Sequence, residues 1–334
     1  MAQPYQAKFI HFGLPKCGST FLQSVWGEDK QYTASNLGAA ANAARQLAAK
    51  GQLTGLPRLD FGVTPKAGTT LIASSEGFAW AYMDQPKLLP KIADLHRVAA
   101  SITGQARISH TALFLVRNPL DWVRAAHEQS IKEGGFGNGA EFLATHGALV
   151  EHALDLAHIQ ATYSQHFQRV VFLSADEMRH EPDAFWARYK AALDAPIPRG
   201  AALKRVAEDD SYSNVSLRER MVMFARLNKV IGGVATAWAG FRKVPAHVAK
   251  ERDHFLAQFN QSRLWAARRV SELSSADELQ ALLGGAHDDI TEGFTDLPLS
   301  DALKALLRTR FCDVIDTIDT IPDALKTTYR EALA

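Results

Sequence analysis

The sequence predicts an α/β fold in which a central parallel sheet is crossed by helices and continues into a helical C-terminal extension. Three observations predict it. Short apolar runs alternate with helical periodicity up to about residue 180. Each run stops on polar or turn residues. Beyond that point the strand-like runs give way to helices joined by Gly or Pro breaks. Alternation of this kind places successive strands side by side in parallel, with each crossover made by a helix.

Lys8-Phe9-Ile10-His11-Phe12 reads as the first buried strand; it stops at Gly13 and precedes the periodic run Thr20-Phe21-Leu22-Gln23-Ser24-Val25-Trp26. Three further strands are predicted at residues 70–74, 111–116 and 169–173. Candidate helices lie at 39–50, 87–101 and 120–132, with a long one at 140–167. Beyond Pro196-Ile197-Pro198, helices are predicted at 217–231, 246–273 and 301–310. Gly134-Gly135-Phe136-Gly137-Asn138-Gly139 is flexible by composition, suited to a lid or to a surface linker. No internal repeat interrupts the pattern. We read residues 1–334 as one domain, with an α/β core over about 8–180 and a helical part over about 181–334.

The chain has 334 residues, 47% of them hydrophobic and 22% charged, enough to bury a sizeable core. A formal net charge of +1 gives no general attraction to a nucleic-acid polymer or an anionic membrane, so any anion must be bound locally. Cys17 and Cys312 form no C-x-x-C pair, which points to neither a disulfide framework nor a zinc site. No apolar stretch approaches the roughly 20 residues of a membrane span, and no basic-then-apolar leader is visible. A soluble, cytoplasmic protein is expected.

Gly13-Leu14-Pro15-Lys16-Cys17-Gly18-Ser19-Thr20 sits between a predicted strand and a predicted helix, where backbone N–H groups and the positive helix end favour a phosphate. A Walker loop carries its lysine directly before Ser/Thr; here Lys16 lies inside the loop, two residues before Gly18. That arrangement resembles the 5′-phosphosulfate loop of the sulfotransferase family. A second stretch, Leu113-Phe114-Leu115-Val116-Arg117-Asn118-Pro119-Leu120-Asp121, is an apolar strand ending in arginine, with Pro119 where the first turn of a helix tolerates it. It is similar to the 3′-phosphate motif of the same family, a role for which a planar, permanently charged guanidinium is suited. The two motifs occur in family order, roughly a hundred residues apart.

The resemblance implies a P-loop-like three-layer fold and the co-substrate 3′-phosphoadenosine 5′-phosphosulfate, without a metal. It places Pro15, Lys16, Cys17, Gly18, Ser19, Thr20 and Arg117 on the nucleotide. It departs from the family where Trp122 replaces an arginine, Ala125 a serine and His127 a frequent tyrosine. Ala125 stands at a cofactor-binding position without the hydroxyl, a donor to charge worth about 1.5–3 kcal/mol; Arg124 is a neighbouring substitute.

Sulfuryl transfer is an in-line displacement, which requires a base at the nucleophile and a cation at the leaving phosphate. Lys16 is the cation. Leu71-Ile72-Ala73-Ser74-Ser75-Glu76 is a strand ending in a carboxylate, at the edge where ligands of open α/β sheets bind. Glu76 is therefore the candidate base, as in carbohydrate-type sulfotransferases. The acceptor is a hydroxyl or amine, with a lean towards carbohydrate.

Histidines compete for the base role, among them His11, His96, His110 and His127. Asp176-Glu177-Met178 receives no chemistry, since a solvated cap accounts for its carboxylates. Ser213, Asn214 and Ser216, and the pair Arg242-Lys243, are weaker candidates near the nucleotide. Phe78, Trp80 and Tyr82 suit core packing better than an acceptor platform. Two alternatives stay open: a magnesium-dependent P-loop kinase or triphosphatase, and a nucleotide-binding relative without catalysis.

Overall fold

The computed structural model describes residues 6–56, 64–79, 88–132, 134–208, 221–222, 224–229, 277, 281 and 293–334. The candidates Trp80, Tyr82, Ser213, Asn214, Ser216, Arg242 and Lys243, and the helix expected at 246–273, lie outside these residues. Two units make up the chain. The first comprises Met1–Trp122, Ala148–Ser213 and Leu299–Ala334, and the second Val123–Gly147 and Asn214–Pro298.

The first unit is built on five parallel strands in the order β2-β3-β1-β4-β5. These are β1 (Ile10–His11), β2 (Tyr32–Asn36), β3 (Thr70–Ser74), β4 (Thr111–Val116) and β5 (Arg169–Ser174). Every residue of β4 is buried, as expected of a central strand covered on both faces. Asn36 pairs with Ser74 and Ser74 with His11, so β2, β3 and β1 end level, whereas β4 runs on past Leu113, the partner of His11, to Val116, where it ends level with Ser174 of β5. The predicted first strand, 8–12, narrows to the two residues that pair on both sides. β2 is absent from the sequence-based expectation: an edge strand of alternating burial, it reads Tyr-Thr-Ala-Ser-Asn, and only its first two residues carry β propensity.

The helices described up to residue 208 are α1 (Ser19–Glu28), α2 (Gly38–Ala49), α3 (Ile92–Ala106), α4 (Pro119–Lys132), α5 (Gly139–Ala153), α6 (Leu156–Ser164), α7 (Ala175–His180), α8 (Pro182–Leu193) and α9 (Gly200–Glu208). After residue 300 come α10 (Asp301–Leu307), a π turn (Arg308–Cys312), α11 (Asp313–Asp316) and α12 (Asp323–Glu331). The β1 segment shows why two layers form. Phe9 meets Trp26 of α1 and Tyr189 of α8, whereas Phe12 meets Tyr163 of α6. Alternation along the segment thus sends large rings into both cores.

Two predicted helices differ from the structure for local reasons. The expected helix 87–101 starts later, as α3, because Pro90 lies in a short 3₁₀ turn, Leu89–Lys91. The expected helix 140–167 is two helices, split at Asp155, whose carboxylate accepts the His158 N–H at 2.9 Å and pairs with Arg310 at 2.6 Å. A side chain that caps a helix start competes with continuation through it. Among the described residues, no helix is long and apolar enough to cross a membrane.

In the second unit, Ile131, Met221, Phe224, Ala225 and Phe294 form a small apolar cluster. The glycine-rich loop is fastened there: Asn228 Nδ2 donates to the Ile131 and Gly135 carbonyls, both at 2.7 Å, and Gly139 N–H donates to the Phe294 carbonyl at 3.0 Å.

Candidate functional site

The sheet order sets the place of the site. β1 leads towards β2 on one side and β4 towards β5 on the other, so two adjacent strands send their connections in opposite directions. Ligands of open α/β sheets bind at the C-terminal ends of such strands. At this edge lie the loop after β1, Glu76 after β3, Arg117 after β4 and Asp176 after β5.

The loop takes its shape from three positive φ angles, at Gly13 (58°), Lys16 (65°) and Gly18 (84°). Two of its carbonyls are held from behind. Trp122 Nε1 donates to Pro15 O at 2.7 Å and Arg117 Nη1 to Lys16 O at 3.3 Å. In a trans peptide the N–H of the next residue points opposite to the carbonyl. These bonds therefore turn the Lys16 and Cys17 amides the other way. Gly18 precedes α1, whose N-terminus has no side-chain cap, so the end of this ten-residue helix is open to an anion. Pro15, Cys17 and Ser19 are buried, Lys16 and Gly18 partly so, and Thr20 is exposed.

On the β3 side, Glu76 opens the 3₁₀ turn Glu76–Phe78, and Ser75 Oγ caps it through Gly77 N–H. Glu76 is partly buried, and burial pushes its carboxyl above the ordinary range; the Ser19 hydroxyl and the Lys16 ammonium act in the opposite direction with less effect. Lys16 and Ser19 of the loop and Glu76 after β3, which come from separate stretches of the sequence, are thus neighbours. Ser19 Oγ is itself buried without a hydrogen bond of full geometry. Gly13 makes the approach possible, since a Cβ there would stand 2.9 Å from Ser19 Oγ and 3.1 Å from Glu76 Cγ. Gly13→Ala, strained at φ 58° as well, is expected to lose about 1–2 kcal/mol of stability from the backbone alone; chemical denaturation measures this.

On the other side of the loop is a pocket of about 330 Å³, lined by Lys16, Gly18, Phe21, Arg117, Asp176 and Arg179, among others. Its volume falls at the lower end of the range for small-molecule sites. Asp176 anchors its wall. One carboxylate oxygen accepts both the Asn118 N–H and the Tyr329 hydroxyl, each at 2.7 Å. Tyr329 Oη lies 2.8 Å from Ser174 Oγ, which also caps α7. The C-terminal helix α12 thereby braces the backbone next to Arg117. No sequence motif signals this role of Asp176 and Tyr329, which are 153 residues apart.

Of the remaining candidates, Cys17 lines the pocket with Lys16 and Gly18 of the loop. His11 is wholly buried, its Nδ1 2.9 Å from Ser74 Oγ, and burial lowers its pKa to about 3, so it stays neutral. His96 is likewise buried and lowered to about 3, largely by desolvation. His110 bonds Gln6, and His127 belongs to the second unit, where it bonds the Gly137 carbonyl. The Cys17 thiol is pushed up by burial, which outweighs the pull of Arg117. Phe78 packs against Phe12 in the core. Ala125 lies partly buried on α4, in the second unit, and its methyl offers no donor. Comparison with family models, curated proteins and solved structures gives no match for this chain.

Proposed function

We propose that this chain moves a sulfuryl group from 3′-phosphoadenosine 5′-phosphosulfate to a hydroxyl or amine acceptor, with a carbohydrate as the favoured class. The observation that carries the reading is the meeting of Lys16, Ser19 and Glu76 at the open end of α1, with Arg117 on the far side of the loop. The acceptor oxygen or nitrogen attacks sulfur as the bond from sulfur to the 5′-phosphate oxygen breaks. The acceptor proton passes to the Glu76 carboxylate, and the electron pair of the broken bond stays on the leaving bisphosphate. Lys16 and the loop amides offset that growing negative charge. Because Glu76 is raised by burial, it is a stronger base than a solvated carboxylate and nearer the pH at which it works. Two free cysteines support placing the chain in a reducing cytoplasm.

One observation favours a second reading, a magnesium-dependent kinase or triphosphatase. A hydroxyl and a carboxylate, Ser19 and Glu76, stand together beside the loop. Calorimetric titration separates the two. Under the first reading, adenosine 3′,5′-bisphosphate binds without magnesium, and Lys16→Ala weakens it at least tenfold, the loss of one charge-assisted contact. A preference for ATP with magnesium would sink this reading and support the kinase.

A further inference from the structure

The pocket on the β4–β5 side of the loop contains a cation that no motif predicted. Three basic side chains line it, Lys16, Arg117 and Arg179, against one carboxylate, Asp176. Lys16 is also drawn towards Glu76, and Arg117 directs Nη1 to the Lys16 carbonyl. Asp176 is engaged from behind by Asn118 N–H and Tyr329. It does not pair with Arg179, although the two stand three residues apart on one helix, where such pairs commonly form. Glu177, the other acid at the start of α7, is taken by Arg188 at 3.0 Å. Arg179 is exposed and makes no ion pair among the described residues.

A guanidinium lining a pocket with a net excess of positive charge, and not neutralised by neighbouring acids, is matched to an anion with several oxygens. The sheet order indicates which one. Glu76 follows β3, on one side of β1, while Arg117 and Arg179 follow β4 and β5 on the other. The transfer chemistry and this wall therefore flank the loop on opposite sides. Resting on the nucleotide reading above, we infer that Arg179 binds the 3′-phosphate of the nucleotide.

The test is calorimetry on the full chain with two probes, adenosine 3′,5′-bisphosphate and adenosine 5′-monophosphate, which lacks the 3′-phosphate. Arg179→Ala is expected to weaken the bisphosphate by about tenfold to a hundredfold, the loss of one charge-assisted contact, and to leave the monophosphate unchanged. Arg179→Lys, which keeps the charge and loses the fork, falls between wild type and Arg179→Ala. Unchanged bisphosphate binding in Arg179→Ala overturns the assignment while the nucleotide reading stands. An equal loss for both probes overturns it too, because it moves Arg179 to the shared 5′-phosphate. If the wild-type chain binds neither probe, the nucleotide reading itself fails and the assignment fails with it.

Discussion

Glu76→Gln is expected to cut sulfuryl transfer by about 10²–10⁴-fold, the usual contribution of a positioned base, while nucleotide binding persists and the fold becomes more stable at neutral pH. The three effects separate because they have different causes. The amide cannot take the acceptor proton, which removes catalysis. In the proposed function the nucleotide's phosphates meet the loop, Lys16 and Arg117, which the substitution leaves in place. Stability follows from the direction of the carboxyl's shift. Burial raises the folded-state pKa above the unfolded value, and Ser19 and Lys16 do not fully offset it. The stabilisation linked to this group is complete below the unfolded pKa and is lost as pH rises through the raised one. Above that raised pKa the wild type carries an ionised carboxylate in a poorly hydrated place, a cost that the glutamine avoids. Denaturation midpoints of the two proteins should coincide near pH 3 and diverge in favour of Glu76→Gln as pH rises. Turnover with a panel of carbohydrate acceptors measures the kinetic loss. Full turnover in Glu76→Gln would remove Glu76 as the base, and a wild type more stable than the variant at pH 7 would contradict the burial argument.

The legible parts of the fold were those whose physics is local. The all-buried run of β4, the break at Gly13 and the amphipathic runs of α1, α2 and α4 each leave a sequence signature within a dozen residues. The short edge strand β2 leaves almost none, because Ala-Ser-Asn at an exposed edge needs neither β-branched nor large apolar side chains. The boundary between α5 and α6 is set by Asp155, which competes for the helix start and pairs with an arginine 155 residues away. No periodicity count detects such a cap once the flanking residues continue the helical pattern. The candidate site divides in the same way. The loop and strand-end candidates were picked out by motif, and the structure brings Lys16, Ser19 and Glu76 together on one side of the loop. Asp176 looked like an ordinary cap because its partners, Asn118 N–H and Tyr329, are supplied by distant parts of the chain.

That contact predicts an effect of α12 on the proposed nucleotide site. Tyr329 is fully buried, and its phenol pKa is driven far above the ordinary value, first by burial and then by the Asp176 charge. It therefore donates to Asp176 throughout the working pH range. Tyr329→Phe keeps the ring and deletes only the hydroxyl. A hydrogen bond to a charged acceptor is worth about 1.5–3 kcal/mol, so a stability loss of that size is expected in chemical denaturation. The same Asp176 oxygen holds the Asn118 N–H next to Arg117, and with one of its two partners gone that backbone is less firmly placed. Nucleotide affinity should fall several-fold, and saturating adenosine 3′,5′-bisphosphate should recover part of the lost stability, since a ligand that binds only the folded state stabilises it. Arg330→Ala supplies the contrast. Arg330 sits next to Tyr329 on α12 but pairs at the surface with Asp313 and Asp316. Exposed pairs of this kind contribute about 0–1 kcal/mol. If Arg330→Ala lowers nucleotide affinity as much as Tyr329→Phe does, the effect comes from loosening α12 in general, and the specific brace through Asp176 is wrong. If only Tyr329→Phe lowers it, the last helix belongs to the nucleotide site through a single hydroxyl.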